Sequence, residues 1–297
     1  MTRVLPLVLA ALVVVSACGG DDAAQPPATL VAVGDIGRCD RDADERTAEL
    51  VARAGDDATI VALGDIAYFD GLSEEFARCY DPSWGRFKNR TRPVPGNHEY
   101  RHFEDDAAAY FEYFGASAGP AGRGYYSYDL GSWHVVALNS NCDAGRLGGC
   151  DRDSGQARWL RDDLERSAAS CTLAYWHHPR FSSGSHHGSS DAVAPLWEVL
   201  AEAAADVVLS GHEHNYQRFA PQTPDGERDP EGGIRSFVVG TGGADLYPVG
   251  EPLPATEVQD ATTHGILVLT LRDGRYDWRF EPTAADGFSD SGSARCH

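Results

Sequence analysis

Five short polar runs each follow directly on an apolar segment of strand length. The runs are Gly34–Gly37, Gly64–Tyr68, Gly96–Glu99, His177–Pro179 and Gly211–His214. Loops that follow the parallel strands of an α/β sheet open into one crevice, so we expect these runs to meet in space although they lie far apart in the chain. A glycine before the polar residue favours the tight turn that would aim its side chain inward. The spacing therefore predicts one shared site.

The side chains in these runs are typical ligands of hard or borderline metal ions. The candidate ligands are Asp35, Asp65, Tyr68, Asn97, His177, His212 and His214. Carboxylate, amide and imidazole donors suit iron, zinc or manganese, whereas a soft site needs thiolates. A single Gly-Asp pair after a strand more often forms a turn, and one His-x-His pair, which a strand directs to one face, favours metal only weakly. Because all five runs occur together, we predict two ions that share one carboxylate.

The order of these motifs resembles that of the calcineurin-like metallophosphoesterases, and specifically the purple acid phosphatases. The matching patterns are Asp-x-Gly, Gly-Asp-x-x-Tyr, Gly-Asn-His-Glu, His-x-Pro and Gly-His-x-His. The resemblance extends from about Val33 to Tyr216 and continues through Gly240–Gly243. It implies an α/β fold in which two mixed β-sheets, flanked by helices, form a four-layer sandwich.

Gly37 and Tyr68 together make the sequence resemble purple acid phosphatases more than other metallophosphoesterases. Most metallophosphoesterases have Asp-x-His in the first motif and no tyrosine three residues after the second aspartate, whereas purple acid phosphatases lack that histidine and have the tyrosine. In the resembled enzymes the phenolate binds ferric iron, and its charge transfer gives the colour. A tyrosine that only packs beneath a loop is the alternative.

The resemblance also implies how the candidate ligands divide between two ions. The first ion would take Asp35, Asp65, Tyr68 and His214, and the second would take Asp65, Asn97, His177 and His212. Asp65 would bridge the ions, and His177 is preferred to His178 because the family ligand lies two residues before the proline. The implied cofactors are Fe(III) at the Tyr68 site and Fe(II), zinc or manganese at the second.

The implied reaction is hydrolysis of phosphate monoesters by a metal-bound hydroxide, without a phosphoenzyme intermediate. The leaving alkoxide needs a proton, which a histidine with a near-neutral pKa supplies. The candidate catalytic residues are His98, His186 and His187, and a solvated pair without a role is the alternative for the last two. Loop 182–190, rich in Ser and Gly, is predicted to be a mobile rim. Glu99 and Glu213 either orient ligands through hydrogen bonds or face solvent.

Apolar periodicity predicts strands that alternate with helices, which is typical of an α/β core. The predicted strands are Leu30–Val33, Thr59–Leu63, Trp133–Leu138, Thr172–Tyr175 and Val207–Leu209, and the predicted helices are Ala43–Ala54, Ser154–Ser167 and Asp191–Ala205. Further strands at Phe237–Val239, Ile266–Leu271 and Tyr276–Phe280 predict a second, more antiparallel sheet. Since no linker divides residues 29–297, they are predicted to be one catalytic domain.

The first residues are typical of an export signal. Residues 1–17 have a basic start and an apolar run, and Ser16-Ala17-Cys18 resembles the lipobox of bacterial lipoproteins. This resemblance implies a lipid anchor at Cys18 and a flexible tether over residues 18–28, while an ordinary cleaved signal peptide is the alternative. We therefore predict an exported protein, either a cell-surface lipoprotein or a secreted or periplasmic one. Export favours disulfides among the other six cysteines, and Cys142 with Cys150 is the pair most easily guessed.

The net charge indicates which kinds of partner the protein can bind. A formal charge of −20 and a pI near 4.8 exclude nucleic acid as a stable partner, because its phosphates are bound by clustered lysine and arginine, which the chain lacks. Small phosphorylated substrates would need the local positive charge of the metal ions. Two alternatives stay open: a phosphodiesterase or nucleotide hydrolase with the same site, and a non-catalytic surface-binding protein. The sequence predicts no oligomeric state.

Overall fold

The computed structural model describes Met1 and residues 25–102, 106–144 and 147–297. Apart from Met1, the predicted signal peptide lies outside the described residues, as do Cys18 and most of the predicted tether. Among the described residues, no helix is long and apolar enough to cross a membrane.

The described residues contain thirteen strands. They are β1 (Ala28–Val33), β2 (Thr59–Leu63), β3 (Thr91–Val94), β4 (Tyr126–Leu130), β5 (Trp133–Ala137), β6 (Cys171–Tyr175), β7 (Val207–Ser210), β8 (Tyr216–Phe219), β9 (Arg235–Val239), β10 (Thr256–Asp260), β11 (Gly265–Arg272), β12 (Arg275–Pro282) and β13 (Asp290–Arg295). The first sheet has six strands in the order β13-β12-β11-β1-β2-β3, and the second has seven in the order β10-β8-β9-β7-β6-β5-β4. Both sheets mix parallel and antiparallel pairs, which confirms the predicted fold class.

Helices connect the strands. The α-helices are α1 (Ala43–Arg53), α2 (Ser73–Glu75), α3 (Asp81–Trp84), α4 (Ala108–Phe114), α5 (Gly155–Arg166) and α6 (Ala194–Glu202). Ser154 caps the start of α5, since its hydroxyl accepts a hydrogen bond from the Ala157 N–H at 3.1 Å. The helix predicted to run from Asp191 to Ala205 is shorter in the structure. Asp191–Val193 form a 3-10 helix before α6, and Ala204 has a left-handed backbone (φ 54°) that cannot continue a helix.

The two sheets pack face to face through aromatic side chains of β12. Tyr276, Trp278 and Phe280 alternate with polar residues and are buried. Tyr276 meets Trp133 of β5 edge to face at 5.6 Å between ring centroids, and Trp278 lies 5.8 Å from the ring of Phe237 in β9. This apolar layer fixes the sheets relative to each other, and so fixes the loops at their ends.

The strands predicted in the last third of the chain do not share the second, more antiparallel sheet that the sequence indicated. β11 and β12 extend the first sheet, because β11 pairs antiparallel with β1 on one edge and with β12 on the other. β9 instead joins the second sheet beside β7. β11 is almost entirely buried, so both of its edges need partners. Local periodicity shows that such a strand exists but not which edge it will pair with.

Three disulfides join the six cysteines of the described residues. They are Cys39–Cys79, Cys142–Cys150 and Cys171–Cys296. The predicted Cys142–Cys150 pair is confirmed, and the other two pairs link residues 40 and 125 positions apart in sequence.

Candidate metal centre

The seven candidate ligands follow the carboxyl ends of five strands. The loops after β1, β2 and β3 of the first sheet carry Asp35, Asp65, Tyr68 and Asn97, which we call the oxygen donors. The loops after β6 and β7 of the second sheet carry His177, His212 and His214, which we call the histidine donors. The three strands of the first group run parallel, as do the two of the second, so within each sheet the ligand loops leave at one edge.

The Tyr68 hydroxyl lies at the centre of one half of the cluster. It donates to Asp35 Oδ1 at 3.0 Å and lies 3.1 Å from His214 Nε2 and 3.3 Å from Asp65 Oδ2. His214 Nε2 is also 3.2 Å from Asp35 Oδ1. The four predicted ligands of the first ion therefore lie in mutual contact.

His177 has the same central place in the other half. Its Nε2 lies 3.1 Å from Asn97 Oδ1, 3.2 Å from His212 Nδ1 and 3.3 Å from Asp65 Oδ2. Its Nδ1 donates to the Leu63 carbonyl at 2.7 Å, which orients the ring so that Nε2 faces the cluster. The four predicted ligands of the second ion are thereby brought together.

Asp65 belongs to both halves. Its Oδ2 lies 3.3 Å from the Tyr68 hydroxyl and 3.3 Å from His177 Nε2. Its Oδ1 accepts the His98 N–H at 2.9 Å, which fixes the carboxylate plane. A Cβ at residue 96 would lie 2.1 Å from that oxygen, so only Gly96 lets the two loops approach this closely. The geometry is that of a shared carboxylate.

Backbone strain accompanies three of the ligands. Asp35, Asp65 and His212 have φ values of 61°, 50° and 70°, in the left-handed region that residues other than glycine seldom adopt. Such conformations persist where the surrounding structure enforces them, and they concentrate at functional sites.

The electrostatics of the cluster favour cations. Asp35 and Asp65 are 0 % and 1 % exposed, and no lysine or arginine of the described residues forms an ion pair with either. Burial and then these two carboxylates raise the pKa of Tyr68 well above its usual range, so its phenolate forms only beside a strong positive charge. Burial lowers the pKa of His177, but Asp65 more than offsets this and raises it to about 9. The donor set and its field fit two metal ions.

Glu99 holds the oxygen donors in place. Its buried carboxylate accepts N–H hydrogen bonds from Asp65 at 2.9 Å, Ile66 at 2.8 Å and Gly96 at 2.7 Å. It therefore clamps the loop after β2 to the loop after β3. Of the two roles that the sequence left open for Glu99, orientation of ligands fits this burial, whereas exposure to solvent is wrong.

The three candidate catalytic histidines lie at the edge of the cluster. The ring of His98 is 4.5 Å from that of Tyr68, and its Nε2 is 3.7 Å from Asp65 Oδ2. The ring of His187 stacks on His212 at 4.0 Å, while that of His186 lies 4.0 Å from Tyr247.

The rim loop 182–190 is hydrogen-bonded along its length. The N–H of Ser183 donates to Gln217 Oε1 at 2.6 Å, that of Ser185 to the Pro248 carbonyl at 3.2 Å, and that of Ser190 to the Pro179 carbonyl at 2.8 Å. The sequence prediction of a mobile rim did not anticipate these bonds, which local composition cannot show.

His178 lies beside the candidate ligands, with its ring centroid 4.4 Å from that of His212 and 4.9 Å from that of His177. Ser140 Oγ accepts the His178 backbone N–H at 3.0 Å and lies 2.8 Å from His178 Nδ1, so a hydrogen bond to Ser140 orients the ring. One ring nitrogen each of His177, His178 and His212 lie within 4.8 Å of one another, so the choice of His177 over His178 as the ligand stays a prediction.

Two neighbours of the cluster were missed by the sequence reasoning. The ring of Tyr247 lies flat on His214, with 3.9 Å between centroids and 11° between planes, and the Asp245 carbonyl accepts from His214 Nδ1 at 2.7 Å. Both follow the Gly240–Gly243 turn, but neither occupies a position with a recognisable spacing.

A comparison with known families agrees with this geometry. The profile described as calcineurin-like phosphoesterase matches residues 28–216, which is more than half of the chain. The chain belongs to the calcineurin-like phosphoesterases. Its similarity to purple acid phosphatases within that family is also confirmed. The match ends at Tyr216, before the Gly240–Gly243 segment to which the motif resemblance extends.

Several of the similar proteins are purple acid phosphatases of plants. Purple acid phosphatase 15 of Arabidopsis thaliana is 29% identical over 252 residues, covering 73% of this chain and 45% of the relative. Purple acid phosphatase 22 of the same plant is 28% identical over 298 residues, covering 88% of this chain and 64% of the relative. The solved structure of purple acid phosphatase PPD1 from yellow lupin (Lupinus luteus) seeds superposes with a TM-score of 0.76 at 17% identity, over 91% of this chain and 54% of that one. The chain thus spans roughly half to two thirds of these relatives.

Proposed function

We propose that this protein is an exported enzyme of the purple acid phosphatase type that hydrolyses small phosphate monoesters with two metal ions. The observation that supports this most is the position of Asp65 Oδ2, 3.3 Å from the central donor of each half. A family member without this chemistry would have no need for seven buried or half-buried donors around one shared carboxylate.

The residues divide as the resemblance implies. Asp35, Asp65, Tyr68 and His214 would hold Fe(III), and Asp65, Asn97, His177 and His212 would hold Fe(II), zinc or manganese. When bound, such a pair of ions lowers the pKa of a water, holds the phosphate and neutralises its charge. The hydrogen bonds from Nδ1 of His177 and His214 to backbone carbonyls keep both rings oriented.

The three histidines at the edge of the cluster, His98, His186 and His187, are proposed to have different roles. Burial lowers the pKa of His187 to about 4, so at neutral pH this ring is uncharged and serves to donate an N–H hydrogen bond to a phosphate oxygen. Protonation of the leaving group then falls to His98 or His186. Nε2 of His98 lies 3.7 Å from Asp65 Oδ2 and the ring of His186 lies against Tyr247, so both rings border the cluster where the leaving group would depart.

A cavity beside the cluster supports small substrates. It has a volume of about 290 Å³ and is bordered by Asn97, Ser140, His178 and Ser190. Ligand pockets commonly measure about 300 to 1,000 Å³, so this one accepts a short alcohol portion. A larger cavity of about 500 Å³ lies near Asp206 and Arg235, at the opposite ends of β7 and β9 from the ligands, and we assign it no part in the reaction.

The disulfides support export, because such bonds persist in oxidising compartments. The lipid anchor at Cys18 stays a prediction.

Metal analysis, a visible spectrum and turnover of mono- and diesters across pH test the proposal. We expect about two ions per chain, including one iron, a visible band that Tyr68→Phe removes, and a kcat/KM for monoesters at least about tenfold above that for diesters. Equal or faster diester hydrolysis would favour the phosphodiesterase alternative. A metal-loaded protein without hydrolysis would favour the binding-protein alternative, and a colourless oxidised protein would exclude the ferric tyrosinate.

A further inference from the structure

We infer that Glu213 is a positioning residue that holds the His186–His187 loop against the metal ligands. Glu213 lies between His212 and His214 in sequence and is 0 % exposed. Its consequence for turnover rests on the proposed function, whereas its consequence for the loop does not.

The side-chain hydrogen bonds of Glu213 among the described residues all lead to this loop. Its Oε1 accepts the N–H groups of His187 and Gly188, both at 2.6 Å. Its other oxygen, Oε2, is buried and has no hydrogen-bond partner among the described residues. A carboxylate that accepts backbone N–H groups makes charge-assisted bonds, which are about twice as strong as neutral ones. The Glu213 carboxylate therefore hydrogen-bonds to the rim loop and not to a predicted metal ligand.

Gly184, which belongs to the same loop, shows how closely the loop approaches this carboxylate. A Cβ at residue 184 would lie 2.2 Å from Glu213 Cδ and 2.5 Å from each carboxylate oxygen. Only Gly184 permits that approach. The loop is thus seated on Glu213 both by hydrogen bonds and by shape.

The seated loop places its two histidines against the cluster. The ring of His187 stacks on the ligand His212 with 27° between planes, and that of His186 rests on Tyr247, which in turn covers the ligand His214. Loss of the Glu213 acceptor would release the backbone at His187 and Gly188 and let both rings leave these positions. The metal ligands themselves have other supports, so the ions should remain.

The test compares Glu213→Ala with Glu213→Gln in the metal-loaded full chain. Glu213→Ala removes the acceptor, and we expect kcat/KM for a phosphate monoester to fall by about 10- to 100-fold with metal content unchanged. Glu213→Gln keeps an acceptor oxygen and should recover most of that loss. Glu227→Ala, in an exposed loop, is the matched control and should resemble the wild type.

A double-mutant cycle shows whether Glu213 acts through the histidines. In a His186→Ala/His187→Ala background, Glu213→Ala should cost less than about twofold more, because the groups that it positions are gone. Fully additive losses would overturn the inference. So would equal damage by Glu213→Gln and Glu213→Ala, which would mean that the charge matters and not the acceptor, or loss of metal in Glu213→Ala.

Amide hydrogen exchange tests the loop without any turnover. The amides of His187 and Gly188 should exchange faster in Glu213→Ala than in the wild type, and unchanged exchange would contradict the inference even if activity fell. Should Glu213→Ala fail to fold, Gly184→Ala disturbs the same contact from the loop side, and there too we expect faster exchange at these amides. A wild-type chain that hydrolyses no phosphate ester would refute the proposed function alone, since this exchange would still report on Glu213.

Discussion

The two sheets contribute unlike halves to the metal centre. The loops of the first sheet supply the oxygen donors, and those of the second supply the histidine donors. Each half contains one buried glutamate, yet Glu99 accepts N–H groups from the loops that carry ligands, whereas Glu213 accepts them from the loop that carries the histidine pair. In the proposed function, the loops of the first sheet would hold ions and present His98 to the substrate, whereas those of the second would hold ions and present His186 and His187.

This comparison predicts how far a substitution in each half should affect metal binding. The oxygen donors are tied to one another through Tyr68 and Glu99, so a change there should affect metal binding as a whole. Two of the histidine donors, His177 and His214, are fixed by separate backbone carbonyls, so a change at either should stay local. The His212 backbone N–H donates to Asp35 Oδ2 at 2.9 Å, a bond that a change of its side chain keeps.

The largest expected effect is that of Asp65→Asn. An amide cannot bridge two cations as a carboxylate does, so both ions should weaken together and metal content should fall below about one per chain. Activity should drop on the order of 10³-fold or more, because several kcal/mol of transition-state stabilisation are lost. Elemental analysis and phosphate release measure this, with the exposed Asp225→Asn as the control. Retention of both ions would show that the two halves do not depend on a shared Asp65 carboxylate.

A smaller loss is expected from His212→Ala. Only the ion held with Asn97 and His177 should leave, so the protein should keep about one ion and the visible band of the Tyr68 half. Activity should fall by about 100-fold or more. Disappearance of the colour together with the activity would show that the histidine half is not local after all, and spectra and metal content taken on the same sample decide this.

The disulfides offer a test through stability. Removing Cys39–Cys79 or Cys171–Cys296 by paired serine substitutions should lower the free energy of unfolding by about 2–5 kcal/mol in either case. Only the first pair adjoins the oxygen donors, since Cys79 Sγ lies 3.9 Å from the Tyr68 carbonyl oxygen. We therefore expect the Cys39/Cys79 variant alone to bind metal more weakly. Denaturant unfolding and metal titration of both variants measure the two effects separately.

The smallest effect concerns pH and a buried acid on the first-sheet side. Burial raises the pKa of Asp44 on α1 to about 6, against about 4 in the unfolded chain. The folded protein binds this proton more tightly, so the stability that it contributes is full below about pH 4 and is lost as the pH rises to about 6, a change of about 2–3 kcal/mol. Asp44→Asn, which keeps an acceptor for the Ser83 hydroxyl, should flatten that slope. The exposed Asp57→Asn should leave it unchanged, and a slope that survives in Asp44→Asn would contradict the assignment.

Much of this arrangement was predictable because the signals were local. Strand β2 was predicted at its exact bounds, and the ligand motifs follow strand ends whose apolar periodicity the sequence shows directly. The family and the fold class were likewise confirmed. The ligand assignment itself stays a prediction, although the structure brings all seven residues together.

The missed features depend on contacts between distant segments. The pairing of β11 with β1, the stacking of Tyr247 on His214, and the seat of the rim loop on Glu213 each join residues separated by at least 25 positions. No periodicity records such a contact. Glu213 illustrates the limit: its position within the motif predicted a place beside the ligands, but only the fold shows which loop its carboxylate meets.

The left-handed backbone at Asp35, Asp65 and His212 has a consequence for protein engineering. Glycine adopts this conformation without steric cost, so each of the three exchanges for glycine would relieve strain while deleting a ligand. Directed evolution for heat resistance alone would therefore favour glycine at these positions and erase the centre. Each round of selection for thermostability must therefore also select for turnover.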